Sequence, residues 1–196
     1  TNTVLHMLAV AHEAGVQYSL QRINELSRQT PNVCKVAPSS KYHIEDVHNS
    51  GGVHTILGVV NRCRPGLLHL DVPTVTGKTL GENIAQWDVR AETAAQEALE
   101  LASVRPGKKP GAAALSVRRR LVSIRKLTPQ RLGFDPYDCI REPENVYSQE
   151  GGLVILYGNL APDGAVVKSA GVRPEMLRHV GPAVIFDAET KAYEGI

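Results

Sequence analysis

The fold is decided at residues 152–168, GLVILYGNLAPDGAVVK, where the pattern of the chain changes. Residues 152–157 form an apolar run typical of a β-strand. The Pro-Asp-Gly at 162–164 is a strong turn signal, and residues 165–168 resume the apolar pattern. This order predicts a β-hairpin.

Two further stretches suggest extended backbone. Residues 184–186, Val-Ile-Phe, predict a third short strand, and Asp187 can cap the helix that follows. Residues 32–37 alternate weakly between apolar and polar and end at Pro38, which fits a short strand or an extended loop.

The first half of the chain has helical spacing instead. Apolar residues recur every three or four positions from Val4, and Gly15 is a natural stop. Ser19 can cap a second helix. Further helices are predicted at 43–49, 53–61, 77–86 and 91–103, with a hinge at Gly51-Gly52. The chain is therefore predicted to be α/β, helix-dominated at first and β-rich in its last quarter.

The composition, 42% hydrophobic and 21% charged, is ordinary for a globular protein. No apolar run approaches the roughly 18–20 residues that cross a bilayer, and nothing resembles a signal peptide. We therefore expect no membrane contact. Because Thr1 is not an initiator Met and helical spacing starts at once, we also expect that the chain is cut from a longer one.

The three cysteines, Cys34, Cys63 and Cys139, are far apart and odd in number. The absence of a CxxC pair excludes, at the level of the sequence, a zinc ribbon or a redox dithiol. The pattern predicts reduced thiols and a cytoplasmic protein.

One segment is strongly basic. Residues 105–131 carry nine basic residues and no acid, which leaves 13 basic against 20 acidic residues elsewhere. Such a segment can bind nucleic acid by releasing phosphate counterions. It has no aromatic residue to stack a base, so a solvated insertion is favoured and nucleic-acid binding is not.

Two other motifs fail on spacing. Gly77-Lys78 lacks the glycine five positions earlier that a phosphate loop requires, since position 72 is Val72. His43 and His48 are five residues apart, which points them in directions about 140° apart on a helix. Solvated or capping roles are favoured for these histidines over metal binding.

Blocks of sequence along the whole chain resemble one enzyme family. They are TNTVLH at 1–6, TPNVCKVAPS at 30–39, KYHIEDVH at 41–48, TVTGKTL at 74–80, YSQEGGL at 147–153 and YGNLAPDG at 157–164. In this order they are similar to an internal stretch of the dihydroxy-acid dehydratases. Phosphogluconate and sugar-acid dehydratases share some blocks, but residues 41–48 favour the branched-chain enzyme.

The resemblance implies a domain arrangement. The family has an N-terminal α/β domain followed by a β-barrel-like domain, with the active site between them in a homodimer. Residues 1–90 would be the helical end of the first domain, 91–146 a linker with the basic insertion, and 147–196 the opening strands of the second.

The resemblance also implies a reaction: loss of water from a 2,3-dihydroxy acid to give a 2-keto acid, in valine and isoleucine synthesis. An iron–sulfur cluster and Mg²⁺ support this chemistry in the full-length enzyme. Their ligands and the catalytic base would lie outside this stretch, so we expect no catalytic residue, cluster or metal here. An alternative is an inert fragment that acts as a basic binding module.

Four residues are the predicted substrate contacts. Thr1 and Asn2 precede a helix, whose N-terminus favours an anionic carboxylate. Thr76 and Lys78 lie in a glycine-containing loop near the expected domain junction, where Lys78 could pair with the same carboxylate. The alternative is that Thr1 and Asn2 only cap the helix and Lys78 is solvated.

Overall fold

The computed structural model describes residues 2–102 and 133–195 of the chain. Its first part consists of helices joined by short turns. They are α1 (Asn2–Glu13), α2 (Leu20–Gln29), α3 (Ile44–Asn49), α4 (Gly52–Cys63), α5 (Leu80–Trp87) and α6 (Gln96–Ala102). The predicted helices are confirmed, although α5 and α6 begin a few residues later than expected.

Side-chain caps decide where two of these helices begin. The Ser19 hydroxyl accepts a hydrogen bond from the backbone N–H of Arg22 at 3.2 Å, which starts α2 where the sequence predicted. Thr79 and Glu82 form a reciprocal capping box that starts α5. Because Thr79 is the cap, α5 cannot include residue 77.

The hinge between α3 and α4 requires a glycine. Gly51 has φ of +119°, which disfavours a side chain. A Cβ there would lie 2.3 Å from Oγ1 of Thr55 and 2.8 Å from Cγ2 of Val89. The predicted Gly51-Gly52 hinge is confirmed, and it lets two short helices pack closely against each other.

The second part of the described chain contains the strands. It includes α7 (Pro136–Cys139), β1 (Val154–Gly158), β2 (Ala161–Val167) and α8 (Glu189–Gly195), with single 3-10 turns at 143–145, 169–171 and 174–176. β1 and β2 pair antiparallel, with Ile155 opposite Val166. The predicted β-hairpin is confirmed.

The turn of the hairpin was predicted at the wrong place. Gly158 pairs with Ala161, so residues 159–160 make the connection. The Pro-Asp-Gly at 162–164 lies inside β2 instead. A proline is tolerated in an edge strand, where its missing N–H costs no bond to a neighbour, and Gly164 takes φ of +101°.

The predicted third strand was also wrong. Residues 184–186 have no regular structure, although their side chains are exposed and apolar. An apolar run forms a strand only when a neighbouring strand pairs with it, and the described residues supply none here. Asp187 does not cap α8 but lies 3.8 Å from Lys191, one helical turn later.

The hairpin is held to α2 by polar contacts. The Ser27 hydroxyl donates to the carbonyl of Leu153 at 2.5 Å, and the N–H of Gly151 donates to the carbonyl of Ser27 at 2.7 Å. The N–H of Ile155, on β1, donates to Oδ1 of Asn24 at 3.1 Å. These bonds fix the sheet against a helix from the other end of the sequence.

The main core joins the two described parts. Its buried members are Val33, Tyr42, Val47, Val59, Val60, Cys139 and Ile140. The extended segment around Cys34 reaches α7 through an antiparallel bridge to Ile140, and Asn32 forms a second bridge to Ser148. The prediction of a short strand or extended loop at 32–37 is confirmed, because isolated bridges are intermediate between the two.

The described residues thus form a mixed α/β structure with a two-stranded antiparallel sheet. The domain boundaries given above stay a prediction. A barrel-like continuation of the sheet also stays a prediction.

A close contact between α4 and the end of α5 gives a test of this packing. A Cβ at Gly58 would lie 2.1 Å from Oδ2 of Asp88, a fully buried carboxylate that pairs with Arg62 at 2.7 Å. Gly58→Ala is expected to lower the free energy of unfolding by about 1–3 kcal/mol, because overpacking displaces that ion pair. Helix propensity returns about 1 kcal/mol, but a separation of only 2.1 Å from a buried carboxylate oxygen places the cost of overpacking toward the upper end of its range, above this gain.

Urea unfolding measures this difference. Gly158→Ala is the matched control, because nothing lies within 4 Å of its added Cβ. A stabilised Gly58→Ala variant would show that the α4–Asp88 contact is looser than described.

Candidate functional site

The turn that leads into α5 gathers polar side chains, and we call residues 74–79 the threonine turn. The amide of Asn83, only 5% exposed, donates from Nδ2 to the hydroxyls of Thr74 at 2.7 Å and Thr76 at 2.9 Å. Thr76 also donates to Oδ1 of Asn83 at 3.1 Å. A buried amide therefore fixes both hydroxyls.

The predicted substrate contacts are only partly brought together. Thr76 and Lys78 share the threonine turn, and Nζ of Lys78 donates to Oε1 of Gln86 at 2.5 Å. Asn2 is the exposed first residue of α1. Within the described residues, no hydrogen bond or ion pair joins Asn2 to the turn, and Thr1 lies outside them.

Asn83 was missed by the sequence analysis, although a signal was present. Thr79 is a natural N-cap, and Asn83 follows four residues later, which places the two on one face of α5. A polar residue one turn behind a capping threonine can reach back into the loop before the helix. The role of Asn83 is therefore to position the Thr76 hydroxyl, and Thr76 remains the predicted substrate contact.

A second group of polar side chains lies where α4 meets the chain after residue 133; we call it the Arg90 cluster (Arg62, Asp88, Arg90 and Glu142). The Arg90 side chain is only 6% exposed and pairs with Glu142. Arg62 pairs with Asp88 at 2.7 Å and approaches Glu142 at 3.6 Å. The two positive and two negative side chains thus form two ion pairs with no net charge.

The guanidinium of Arg90 also binds backbone carbonyls. It donates to the carbonyls of Ile140 and Pro136 at 3.0 Å each, and its carbon lies 4.4 Å from the ring centre of Tyr137. Planar guanidinium groups suit such crowded sites because they present several donors at fixed angles. Arg90 thereby orients α7.

A third group surrounds one carboxylate; we call it the Asp138 cluster (Tyr42, Asp138, Arg141 and Tyr147). Asp138 accepts from Arg141 at 2.6 Å and from the Tyr42 hydroxyl at 2.7 Å. The Tyr147 hydroxyl donates to the Asp138 backbone carbonyl at 2.5 Å. Arg141 and then Tyr42 hold the pKa of Asp138 below its usual value, while burial and the neighbouring carboxylate raise the pKa of Tyr42.

All three cysteines carry free thiols. Cys139 is a buried member of the main core, and Cys34 packs against that core opposite Ile140, the residue that follows Cys139. Interaction with Cys139, together with burial, raises the pKa of Cys34, whereas interaction with Cys34 lowers the pKa of Cys139. Cys63 also packs against the main core, and burial raises its pKa.

The described residues do not fit an iron–sulfur cluster or a divalent cation. No three histidine, cysteine, aspartate or glutamate side chains among residues 2–102 and 133–195 are grouped so that they could hold a metal ion. His43 and His48 are both exposed, and His43 precedes α3 as its N-cap, so the solvated or capping role predicted for them is confirmed.

Two features concern the predictions about nucleic acid and membranes. The basic segment 105–131 lies outside the described residues. No helix in the part of the chain that the structure describes is both long enough and apolar enough to cross a membrane.

Family models match both parts of the chain in order. The model for the N-terminal part of the dihydroxy-acid/6-phosphogluconate dehydratases covers residues 1–83, and the model for the C-terminal part covers residues 138–196. The chain belongs to this dehydratase family. The threonine turn and the Cys34 segment fall in the N-terminal match, and Asp138 with the hairpin falls in the C-terminal match.

Individual dehydratases are similar over the whole chain. A dihydroxy-acid dehydratase of Akkermansia muciniphila is 45% identical over all 196 residues, and one of Caldanaerobacter subterraneus subsp. tengcongensis is 43% identical. In both cases the chain spans 27% of the relative's length. The likeness is therefore to one stretch of a longer enzyme.

The Asp138 cluster gives a prediction about pH. Tyr42→Phe is expected to raise the pKa of Asp138, because it removes a hydrogen bond that stabilises the carboxylate. A carboxylate with a lowered folded pKa adds stability above its unfolded pKa, and that stability is lost as the pH falls through the folded value. In Tyr42→Phe this stabilisation is smaller, and its loss is complete at a higher pH.

NMR titration of the Asp138 carboxyl carbon measures the shift directly. Tyr147→Phe is the matched control, since its hydroxyl binds the backbone carbonyl of Asp138 and not the carboxylate. Equal shifts in the two variants would contradict a specific role of Tyr42.

Proposed function

We propose that this chain is part of a dihydroxy-acid dehydratase, a hydro-lyase that converts 2,3-dihydroxy acids to 2-keto acids in the synthesis of valine and isoleucine. The observation that carries the proposal is the pair of family matches, in order, at 1–83 and 138–196. The two relatives named above, similar over the full 196 residues, are both dihydroxy-acid dehydratases.

The cofactors of the proposed enzyme are an iron–sulfur cluster and Mg²⁺, held by residues other than those described here. Together they would supply charge stabilisation for the departing hydroxide. The described residues offer no fitting ligand group, so we assign this chain none of the metal ligands. The same proposal includes a cytoplasmic homodimer acting on a small dihydroxy acid, with the hairpin opening a barrel-like domain.

The part assigned to this chain is binding of the substrate carboxylate, by Thr1, Asn2, Thr76 and Lys78. The first turn of α1 contains no acidic side chain, and its unpaired N–H groups favour an anion. Lys78 is exposed and carries a positive charge that its partner, the neutral Gln86, does not cancel. Its ammonium therefore keeps donors for a carboxylate.

Asn83 supports this assignment from behind. By holding the hydroxyls of Thr74 and Thr76, it keeps the threonine turn in one conformation. A turn fixed in advance loses less conformational entropy when a ligand binds. Asn83 is a positioning residue, because its own side chain is buried.

Substrate assays with the full-length enzyme test the proposed function. A branched 2,3-dihydroxy acid, 6-phosphogluconate and a sugar acid are supplied separately, and formation of the 2-keto acid is measured. We expect the branched dihydroxy acid to give the highest kcat/KM. A preference for 6-phosphogluconate or for the sugar acid would assign the chain to another branch of the family.

The carboxylate assignment is tested in the same enzyme. Lys78→Met and Asn2→Ala are each expected to lower kcat/KM by about tenfold to a hundredfold, because each removes a charge-assisted hydrogen bond. Lys191→Met, which removes an exposed lysine of α8, is the matched control. If the two variants keep wild-type kcat/KM while only Tm falls, Asn2 is a helix cap and Lys78 is solvated.

A further inference from the structure

Lys78 is held at both ends, although it is exposed. Its backbone carbonyl accepts hydrogen bonds from the N–H of Thr74 at 2.9 Å and from the Thr74 hydroxyl at 2.7 Å. Its ammonium donates to Oε1 of Gln86 at 2.5 Å. A lysine side chain in solvent samples many rotamers, and fixing it costs entropy. The tip of Lys78 is thus ordered in a way that an exposed lysine otherwise is not.

The acceptor of this bond comes from far along α5. Lys78 precedes Thr79, the N-cap, and Gln86 is the seventh residue of the helix. At 1.5 Å per residue, Gln86 lies about 10 Å along the helix axis from the cap. The Lys78 side chain therefore runs along α5 rather than away from it, and Gln86 sets where its ammonium stands.

Gln86 is itself fixed, because the end of α5 is held by its neighbours. The carbonyl of Gln86 accepts a hydrogen bond from the N–H of Ala95, in the segment before α6, at 2.8 Å. The ring of Trp87, the last residue of α5, has its centre 6.3 Å from that of His54 on α4. The half-buried Gln86 therefore offers its amide oxygen from a backbone that has little freedom to move.

The neutrality of the amide preserves the charge of Lys78. A carboxylate at position 86 would form an ion pair with the ammonium, whereas an amide oxygen orients it and leaves its charge in place. Glu82, the acid of α5, accepts a hydrogen bond from the N–H of Thr79 at 2.7 Å. Hydrogen bonds from Thr79 and then the charge of Lys78 lower the pKa of Glu82. The carboxylate of Glu82 is thus engaged at the cap.

We propose that Gln86 is a positioning residue for the substrate carboxylate. Its neutral amide orients the ammonium of Lys78 and leaves the positive charge for the substrate, without touching the substrate itself. A group that is oriented before binding loses less conformational entropy when the ligand arrives. This inference rests on the proposed function, because it takes Lys78 as a carboxylate contact.

Two variants of the full-length enzyme separate the position of the amide from its neutrality. Gln86→Leu removes the acceptor, and we expect kcat/KM to fall by about threefold to tenfold because Lys78 is no longer oriented. Gln86→Glu keeps an acceptor oxygen but adds a negative charge, so its loss should be larger and approach that of Lys78→Met. A role in hydrogen bonding alone predicts the opposite order, since a carboxylate is the stronger acceptor.

Added salt gives a readout that a change in stability would not produce. Dissolved ions screen charges, and the loss in Gln86→Glu comes from charge. The ratio of wild-type to variant kcat/KM should therefore narrow with added NaCl in Gln86→Glu more than in Gln86→Leu. Gln21→Leu is the matched control, because it removes an exposed glutamine of α2 whose amide binds Glu25, and it should keep wild-type kcat/KM.

The Lys78→Met background separates this proposal from the function on which it rests. There Gln86→Leu should lower kcat/KM no further, because the group that it orients is gone. Wild-type kcat/KM in Lys78→Met would overturn the carboxylate site and the proposal together. With Lys78→Met impaired, three results overturn the proposal alone: wild-type kcat/KM in Gln86→Leu, Gln86→Glu at least as active as Gln86→Leu, or an equal further loss from Gln86→Leu in the Lys78→Met background.

Discussion

The contact between the two described parts depends on the burial of one guanidinium, that of Arg90. A charge removed from water costs several kcal/mol unless it is paired and hydrogen-bonded. Arg90 meets this condition only when Glu142 and the carbonyls of α7 stand where they do. The position of α7 is thus set from a residue some 46 positions earlier in the chain.

Other polar contacts also join the two described parts. The Asp138 cluster begins at the end of α7 and reaches back to Tyr42, and Ile140 forms a bridge to Cys34 in the extended segment before α3. The bridge from Asn32 to Ser148 continues the contact toward the hairpin. Residues 136–148 therefore pack with the first part of the described chain, and the β-hairpin follows them.

Local signals in the sequence predicted local structure well. Ser19 and Gly51 each act through neighbours a few residues away, so their effects could be inferred without a fold. The hairpin was predicted for the same reason, but its turn was misplaced. The Pro-Asp-Gly signal was judged without knowing that the strand was an edge strand, where proline and a left-handed glycine are tolerated.

What the sequence did not reveal depends on contacts between distant residues. The role of Arg90 has no local signature, because its partners Pro136 and Glu142 lie 46 and 52 positions away. The apolar run at 184–186 predicted a strand that its surroundings do not complete. The family resemblance indicated the dehydratase family, which the spacing of single motifs could not, because the resemblance rests on blocks of sequence along the whole chain.

The hydrogen bond between Ile155, on β1, and Asn24 limits where a further strand could pair with the sheet. An unpaired strand edge is a template for any other strand, whether of the same chain or of another molecule. On β1 the outward N–H of Ile155 is already bound by a side chain of α2, which occupies the place of a neighbouring strand. That side is closed to further pairing at this position. β2 is the other edge of the two-stranded sheet in the described residues, and Pro162 within it has no N–H to offer a further strand.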